Sequence, residues 1–241
     1  MNICAKNPPH RQAENRCTQL QETMKYYIIS YKKRPLGESG ESCKSDYDLS
    51  NACADCGTGA KLTGNIRVKG FSNIKKNFFE TLDGDYIISA KLYNLIQENF
   101  IDFELRQVID SKNNYLDFYH FKGDAILPRF KKGSSGFVIE GQCQTCKRNG
   151  YFTDAEIGNL EKNIPTVIHP YTLRYDKLDF ENYKSDLILN TWECFGLSNR
   201  VATEKYEIRY ARPLTIVNER IKDLFERKKL KDIEYEQIVI E

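Results

Sequence analysis

The chain has 241 residues, 40% of them hydrophobic and 29% charged, which suffices to bury a core without covalent staples. Its 36 basic and 34 acidic residues leave a formal charge of +2. No global field therefore favours nucleic acid or an anionic membrane, and no stretch approaches the roughly 20 apolar residues that span a bilayer.

Residues 1–24 are polar, broken by Pro8-Pro9-His10, and read as a flexible N-terminal tail. Met1 to Gln12 lack the apolar core of a secretory signal, so a cytoplasmic address is expected. From residue 25 to 241 the text is globular. Tyr26 to Tyr31 is a run of aromatic and β-branched residues and reads as a strand. Arg34 to Ser50, with Pro35 and several Ser and Gly, reads as a loop.

Two stretches, 86–109 and 214–239, share a pattern. Setting Ser89 against Asn218 aligns Leu92, Leu95 and Ile96 with Ile221, Leu224 and Phe225. That is the i, i+3, i+4 spacing of one helix face, and Ser and Asn are both strong N-caps. The period then changes to two, through Phe103, Leu105, Gln107 and Ile109 in the first stretch and Ile233, Tyr235, Gln237 and Val239 in the second. Each reads as strand, short helix, strand. Between them, Tyr115–Phe121, 125–127 and 136–140 read as strands, and 154–163 as a short helix. The fold class expected is α+β: a mixed, sheet-rich body with two similar β-α-β units, divisible into lobes of about 25–150 and 151–241.

The eight cysteines include two Cys-x-x-Cys pairs, Cys53/Cys56 and Cys143/Cys146. Two such pairs make a complete tetrahedral thiolate set, which zinc accepts without redox consequence. In a reducing compartment a metal site is the stronger reading than disulfides. Gly57 after the first pair suits the left-handed turn of a zinc knuckle, whereas the second pair is followed by Lys147-Arg148-Asn149-Gly150. One structural zinc held by Cys53, Cys56, Cys143 and Cys146 would bracket the whole first β-α-β unit. Cys4, Cys17, Cys43 and Cys194 have no partner at ligand spacing, and Cys194 reads as a small buried hydrophobe.

Catalytic signatures are missing. There is no phosphate loop, no His-Glu-x-x-His and no Gly-x-Ser-x-Gly. The three histidines, His10, His120 and His169, read as packing or surface residues. A closed four-thiolate site leaves no position for an activated water, so no enzyme is expected. Basic residues group at Arg129, Lys131, Lys132, Lys147 and Arg148, and again on the last helix from Arg220 to Lys231, where acidic residues interleave. The first group keeps a zinc-stabilised nucleic-acid-binding module as the alternative function.

The motif order runs from Cys53-Ala54-Asp55-Cys56-Gly57 through Tyr86-Ile87-Ile88-Ser89 to the second Cys-x-x-Cys. It continues with Ser185-Asp186-Leu187-Ile188 and Thr191-Trp192-Glu193-Cys194-Phe195-Gly196, then Arg212-Pro213-Leu214-Thr215-Ile216-Val217-Asn218-Glu219-Arg220-Ile221. This resembles the double-CXXCG-motif family of bacterial toxin-associated proteins, over about residue 48 to the C-terminus. The resemblance implies an immunity protein that neutralises a cognate protein toxin, with no membrane partner. The second pair departs from the family pattern in lacking the following glycine.

Overall fold

The computed structural model describes residues 24–101, 103–153, 170–183 and 186–241. Residues 1–23 of the expected tail and the expected helix at 154–163 lie outside the described residues, as does His169, while Met24, expected in the tail, packs partly buried against an apolar cluster. The protein is mixed and sheet-rich, as the α+β reading requires. Strand Tyr26–Tyr31 lies one place in from an edge of the larger sheet, paired antiparallel with Arg212–Asn218 on one side and the edge strand Ile233–Gln237 on the other. Ile188–Phe195 continues this sheet beyond Arg212–Asn218, and its far edge carries the short strands Ala125–Ile126 and Tyr151–Phe152. Both faces of Tyr26–Tyr31 are covered: Tyr27, Ile29 and Tyr31 enter one apolar cluster, Tyr26 and Ile28 the other. Its aromatic and branched run, interrupted only by Ser30, is what a strand buried on both faces needs.

The second sheet has four antiparallel strands, in the order Phe78–Glu80, Tyr86–Ser89, Tyr115–His120, Gln107–Ile109. Its helix, Ala90–Asn99, is capped by Ser89, whose hydroxyl accepts the Leu92 amide at 3.3 Å. The C-terminal helix, Glu219–Arg227, is capped by Asn218, whose side-chain oxygen accepts the Ile221 amide at 3.1 Å. In each stretch the two strands flanking the helix lie parallel to one another, separated by one antiparallel strand. That middle strand is Tyr115–His120 for the first helix and Tyr26–Tyr31 for the second.

Leu92, Ile96, Ile221, Leu224 and Phe225 are buried. Leu95 is only partly covered, and Tyr93 takes the buried place beside it, stacked on Tyr119 at 3.9 Å. Phe78, Phe121 and Phe225 meet with ring centroids 5.6–6.1 Å apart, tilted or edge to face. This triad joins the two helical stretches in one cluster. Its ring contacts contribute about 0.5–1.5 kcal/mol per pair beyond area burial.

Several extents differ from expectation. Residues 34–50 are not plain loop: Glu38–Ser39 and Tyr47–Asp48 form two-residue pairings, with a short 3-10 turn at Gly40–Cys43 between them. The strand expected from Phe103 is confined to Gln107–Ile109, and that expected at 136–140 to Val138–Ile139. Val239 leaves the Ile233–Gln237 strand and pairs instead with Arg174. Alternation marks which residues face inward, but a ladder continues only as far as a partner strand runs alongside.

One buried group in the larger sheet titrates far from its usual range. Glu193 is almost fully covered; its Oε1 accepts the Phe130 amide at 3.2 Å, and its Oε2 has no hydrogen-bond partner. Burial pushes its carboxyl from 4.5 up to about 7. The native state then holds a proton that the unfolded chain releases, so stability falls as pH rises from 4.5 to about 7. Glu193→Gln is expected to raise stability at pH 8, on the order of 2 kcal/mol, with no gain at pH 4. Denaturant midpoints at the two pH values check it, and equal shifts at both would contradict it.

Candidate metal centre

The four paired cysteines converge. Cys53 and Cys143 have their sulfurs 3.8 Å apart, Cys56 and Cys146 3.6 Å, and all four lie within 4.8 Å of one another. A tetrahedral ion with metal–sulfur bonds of about 2.3 Å sets its sulfurs about 3.8 Å apart. The thiolate set therefore fits such an ion in ligand type, number and spacing. A disulfide would bring two sulfurs to about 2 Å, and all six cysteines among the described residues are free thiols.

Each pair is held by the same turn. The Gly57 amide donates to Cys53 O at 2.9 Å, and the Lys147 amide to Cys143 O at 2.9 Å. The Thr58 amide points at Cys56 Sγ, 3.5 Å away, and the Arg148 amide bonds the Cys146 sulfur in the equivalent place. Backbone amides of Cys146 and then Thr145 bond the Cys143 sulfur and help draw its thiol down to about 7. Burial pushes Cys56 the other way, up to about 12. Metal binding at neutral pH must therefore displace protons.

The missing glycine has a structural answer. Gly57 has φ +80°, and Lys147 takes the corresponding left-handed conformation with φ +53°, which a non-glycine residue adopts at a cost of roughly 1–2 kcal/mol. The first turn has no such latitude, because a Cβ on Gly57 would lie 2.5 Å from the Tyr210 ring. Gly57→Ala is expected to cost about 2–3 kcal/mol from strain and overpacking, and Lys147→Ala less than about 0.5 kcal/mol. Thermal melts of the two variants test the contrast.

Neighbours that the Cys spacing does not reveal fasten the knuckles. The Cys143 amide donates to Asn149 Oδ1 at 2.9 Å. Thr58 donates to Ser198 Oγ at 2.8 Å, and Arg200 bonds Ala54 O. Thr145 reaches across to the Asp55 carboxylate and links the two turns. Arg148 bonds Trp192 O at 3.1 Å and lies over the Trp192 ring, as does Arg129, 4.4 Å from its centroid. Of the basic group nearby, Lys131 pairs with Asp176 at 2.8 Å and reaches Glu241.

A second polar cluster joins the two sheets. Arg212 Nη1 and Nη2 donate to Glu41 at 2.8 and 2.5 Å, and its Nε donates to Asp85 Oδ1 at 3.2 Å. Ser39 donates to Asp85 Oδ2 at 2.7 Å, and His120 Nε2 lies 3.4 Å from Asp85 Oδ1. Burial raises the Asp85 carboxyl, but Arg212 and then His120 outweigh it and hold the group well below the usual carboxylate range. Burial also lowers His120, which favours the neutral ring. Cys194 borders the same cavity as His120 and Asp85, yet burial pushes its thiol up to about 11, the opposite of an activated nucleophile.

Fold and site together define a mixed α+β protein with a four-cysteine cluster able to hold a metal ion, and no helix among the described residues is long and apolar enough to cross a membrane. No family model matches the chain, and no curated protein matches it either.

Proposed function

We propose that this chain is an immunity protein that binds a cognate bacterial protein toxin and occludes it, with zinc in the four-thiolate site as a structural staple. The observation that carries this reading is the donor set itself. Four thiolates at tetrahedral spacing fill the coordination of zinc, so the metal fixes shape and offers no site for bond-making. Cys53, Cys56, Cys143 and Cys146 would hold it, tying the segment before the first helical stretch to the segment after it. We infer also that 86–109 and 214–239 are two copies of one module, for which the matching caps and strand pairings speak.

The surface for the partner is the loop that follows Ile188–Phe195. Leu197, Val201, Tyr206 and Ile208 are exposed there, and Arg200 anchors the loop to the first knuckle. Exposed apolar side chains on a metal-braced loop suit a protein partner better than a solvated one. Val201→Asp with Tyr206→Ala is expected to weaken toxin binding at least tenfold while leaving the melting temperature within about 2 °C. The test is co-expression of the zinc-loaded protein with toxins encoded beside its gene, followed by affinity measurement. Failure to protect against any of them would sink the reading.

The alternative is a zinc-stabilised nucleic-acid-binding module in a cytoplasmic setting. Two arginines over Trp192 favour it, while the ion pairs of Lys131 speak against a free basic patch. Binding to DNA or RNA that weakens steeply with salt would select it.

A further inference from the structure

Three short basic runs lie far apart in the sequence: Lys32-Lys33-Arg34, Lys75-Lys76, and Lys228-Lys229 with Lys231. Each adjoins an aromatic residue of one core cluster. Tyr31 precedes the first run, Phe78 follows the second and Phe225 precedes the third. The Phe78 ring lies 6.3 Å from that of Tyr31 and 6.1 Å from that of Phe225. Burying these rings together brings the three runs to one end of the larger sheet. The backbone fixes the meeting further. Tyr31 pairs with Ile233 and the Lys32 amide donates to Asp232 O at 2.9 Å, so the next residues outward are Lys33 and Lys231. Lys76 reaches the same spot, its Nζ 2.5 Å from Asp232 Oδ2.

The charge there is one-sided. Asp232 is taken by Lys76, and Glu234 by Lys32 at 3.4 Å. Glu80, beside Tyr31, is the third acid of the neighbourhood. Eight cations thus meet three acids, an excess of five. The whole chain carries +2, so everything outside this face sums to −3. On the helix leading in, Glu226 is engaged by Lys222, and Asp223 is offset by Arg227 one turn on. Lys33, Lys75, Lys228, Lys229 and Lys231 are exposed and pair with no carboxylate among the described residues. Like charges gathered in this way repel one another and draw anions.

What the face lacks narrows the partner. Its apolar members, Leu36, Ile74 and Leu230, pack against the core, and none of its large apolar or aromatic side chains is exposed. Stacking on single-stranded bases uses exposed aromatic rings, and docking in a bilayer interface uses exposed apolar side chains. Protein interfaces are poor in lysine and rich in aromatic residues and arginine. The backbone of a duplex asks only for cations.

We propose that this lysine face binds double-stranded nucleic acid through its phosphates, without reading base sequence. The inference does not rest on the toxin reading, and the face shares no residue with the arginines over Trp192.

Fluorescence anisotropy of a short mixed-sequence DNA duplex with the full, zinc-loaded chain tests this across a salt series. Contacts from the five unpaired lysines give a slope of log affinity against log salt of about −4.5, so binding should weaken roughly 500-fold between about 50 and 200 mM salt. Lys33→Ala, Lys75→Ala and Lys231→Ala together should bring the slope to about −2 and weaken binding at least about tenfold. Because these side chains are exposed and unpaired, the melting temperature should stay within about 2 °C of wild type. Lys33→Arg, Lys75→Arg and Lys231→Arg together should keep the slope, since charge alone is read. A duplex of different sequence should bind within about threefold. No duplex binding at about 50 mM salt, or an unchanged slope in the alanine triple, would overturn the assignment. So would tighter binding to the single strand, to vesicles containing phosphatidylserine or to polyglutamate, each of which names another class of partner. Loss of binding in Arg129→Ala, with the alanine triple unaffected, would move the contact to the second knuckle and equally defeat it.

Discussion

Removing the metal is expected to lower the melting temperature by roughly 10 °C, and replacing Cys143 with Ser to do nearly the same without supplying or removing any chemistry. A metal that binds only the folded chain stabilises it by about 4 kcal/mol when its free concentration is a thousand times its dissociation constant. For a chain of this length each kcal/mol shifts the midpoint by about 2–4 °C. The bridged residues, Cys53 with Cys143 and Cys56 with Cys146, stand 90 positions apart. Loss of the ion therefore frees a long excursion as well as two turns. The two aromatic-rich sheets remain, so loosening around the knuckles is expected rather than global unfolding. Because Cys56 stays protonated up to about 12 without metal, binding should release protons and weaken as pH falls. Metal content by mass spectrometry of protein purified without chelator, with melts across pH, decides the matter. About one zinc per chain, lost in Cys143→Ser, is the expected result; a metal-free chain with an unchanged melt would refute the staple.

The largest single-residue effect is expected at Arg212. Arg212→Met should cost about 3–5 kcal/mol, because it leaves Glu41 and Asp85 buried without their cation. The pair itself need not be worth that much, since most of the loss is the penalty of orphaned charge. Adding Glu41→Gln and Asp85→Asn should then restore part of the stability. The acid limb provides an independent check. Asp85 has its folded pKa depressed by Arg212 and His120 against the pull of burial. Its contribution is present above the unfolded value of about 3.9 and is lost as pH falls through the acid range below it. Arg212→Met should flatten that limb. Denaturant midpoints at pH 7 and at pH 3 read both effects, and a midpoint at pH 7 within 1 kcal/mol of wild type would show the cluster to be ornamental.

Local chemistry made several features legible in the residues alone. Ser89 and Asn218 cap helices because a short side-chain oxygen beside an apolar i, i+3, i+4 run leaves little else for the first-turn amides to bond. Leu92, Ile96, Ile221, Leu224 and Phe225 turn inward because helical period places them on one face. Cys-x-x-Cys forms a turn with both sulfurs on one side, and the structure brings the two turns together. Each of these depends on residues within one or two turns of each other.

Long-range placement was not legible in that way. The left-handed turn after Cys146 needs a conformation rather than a residue, and Lys147 supplies it where the first knuckle uses Gly57. The middle strand between the two flanking a helix comes from Tyr115–His120 in one case and from Tyr26–Tyr31, far away in the chain, in the other. Periodicity says which side of a strand is apolar and nothing about its neighbour, because pairing is decided by burial shared across both sheets. Glu41, Asp85 and Arg212 carry no spacing signal at all, yet they form the buried charge cluster. Asn190 reaches the carbonyls of Gly123 and Ala125 only because Gly123 packs directly on the strand Ile188–Phe195. The sequence by itself determined the caps, the inward faces and the thiol pairs, since those follow from bonds and sterics within a few residues. The tertiary structure alone decided which strands adjoin and which charges match, since those follow from desolvation on contact between distant segments.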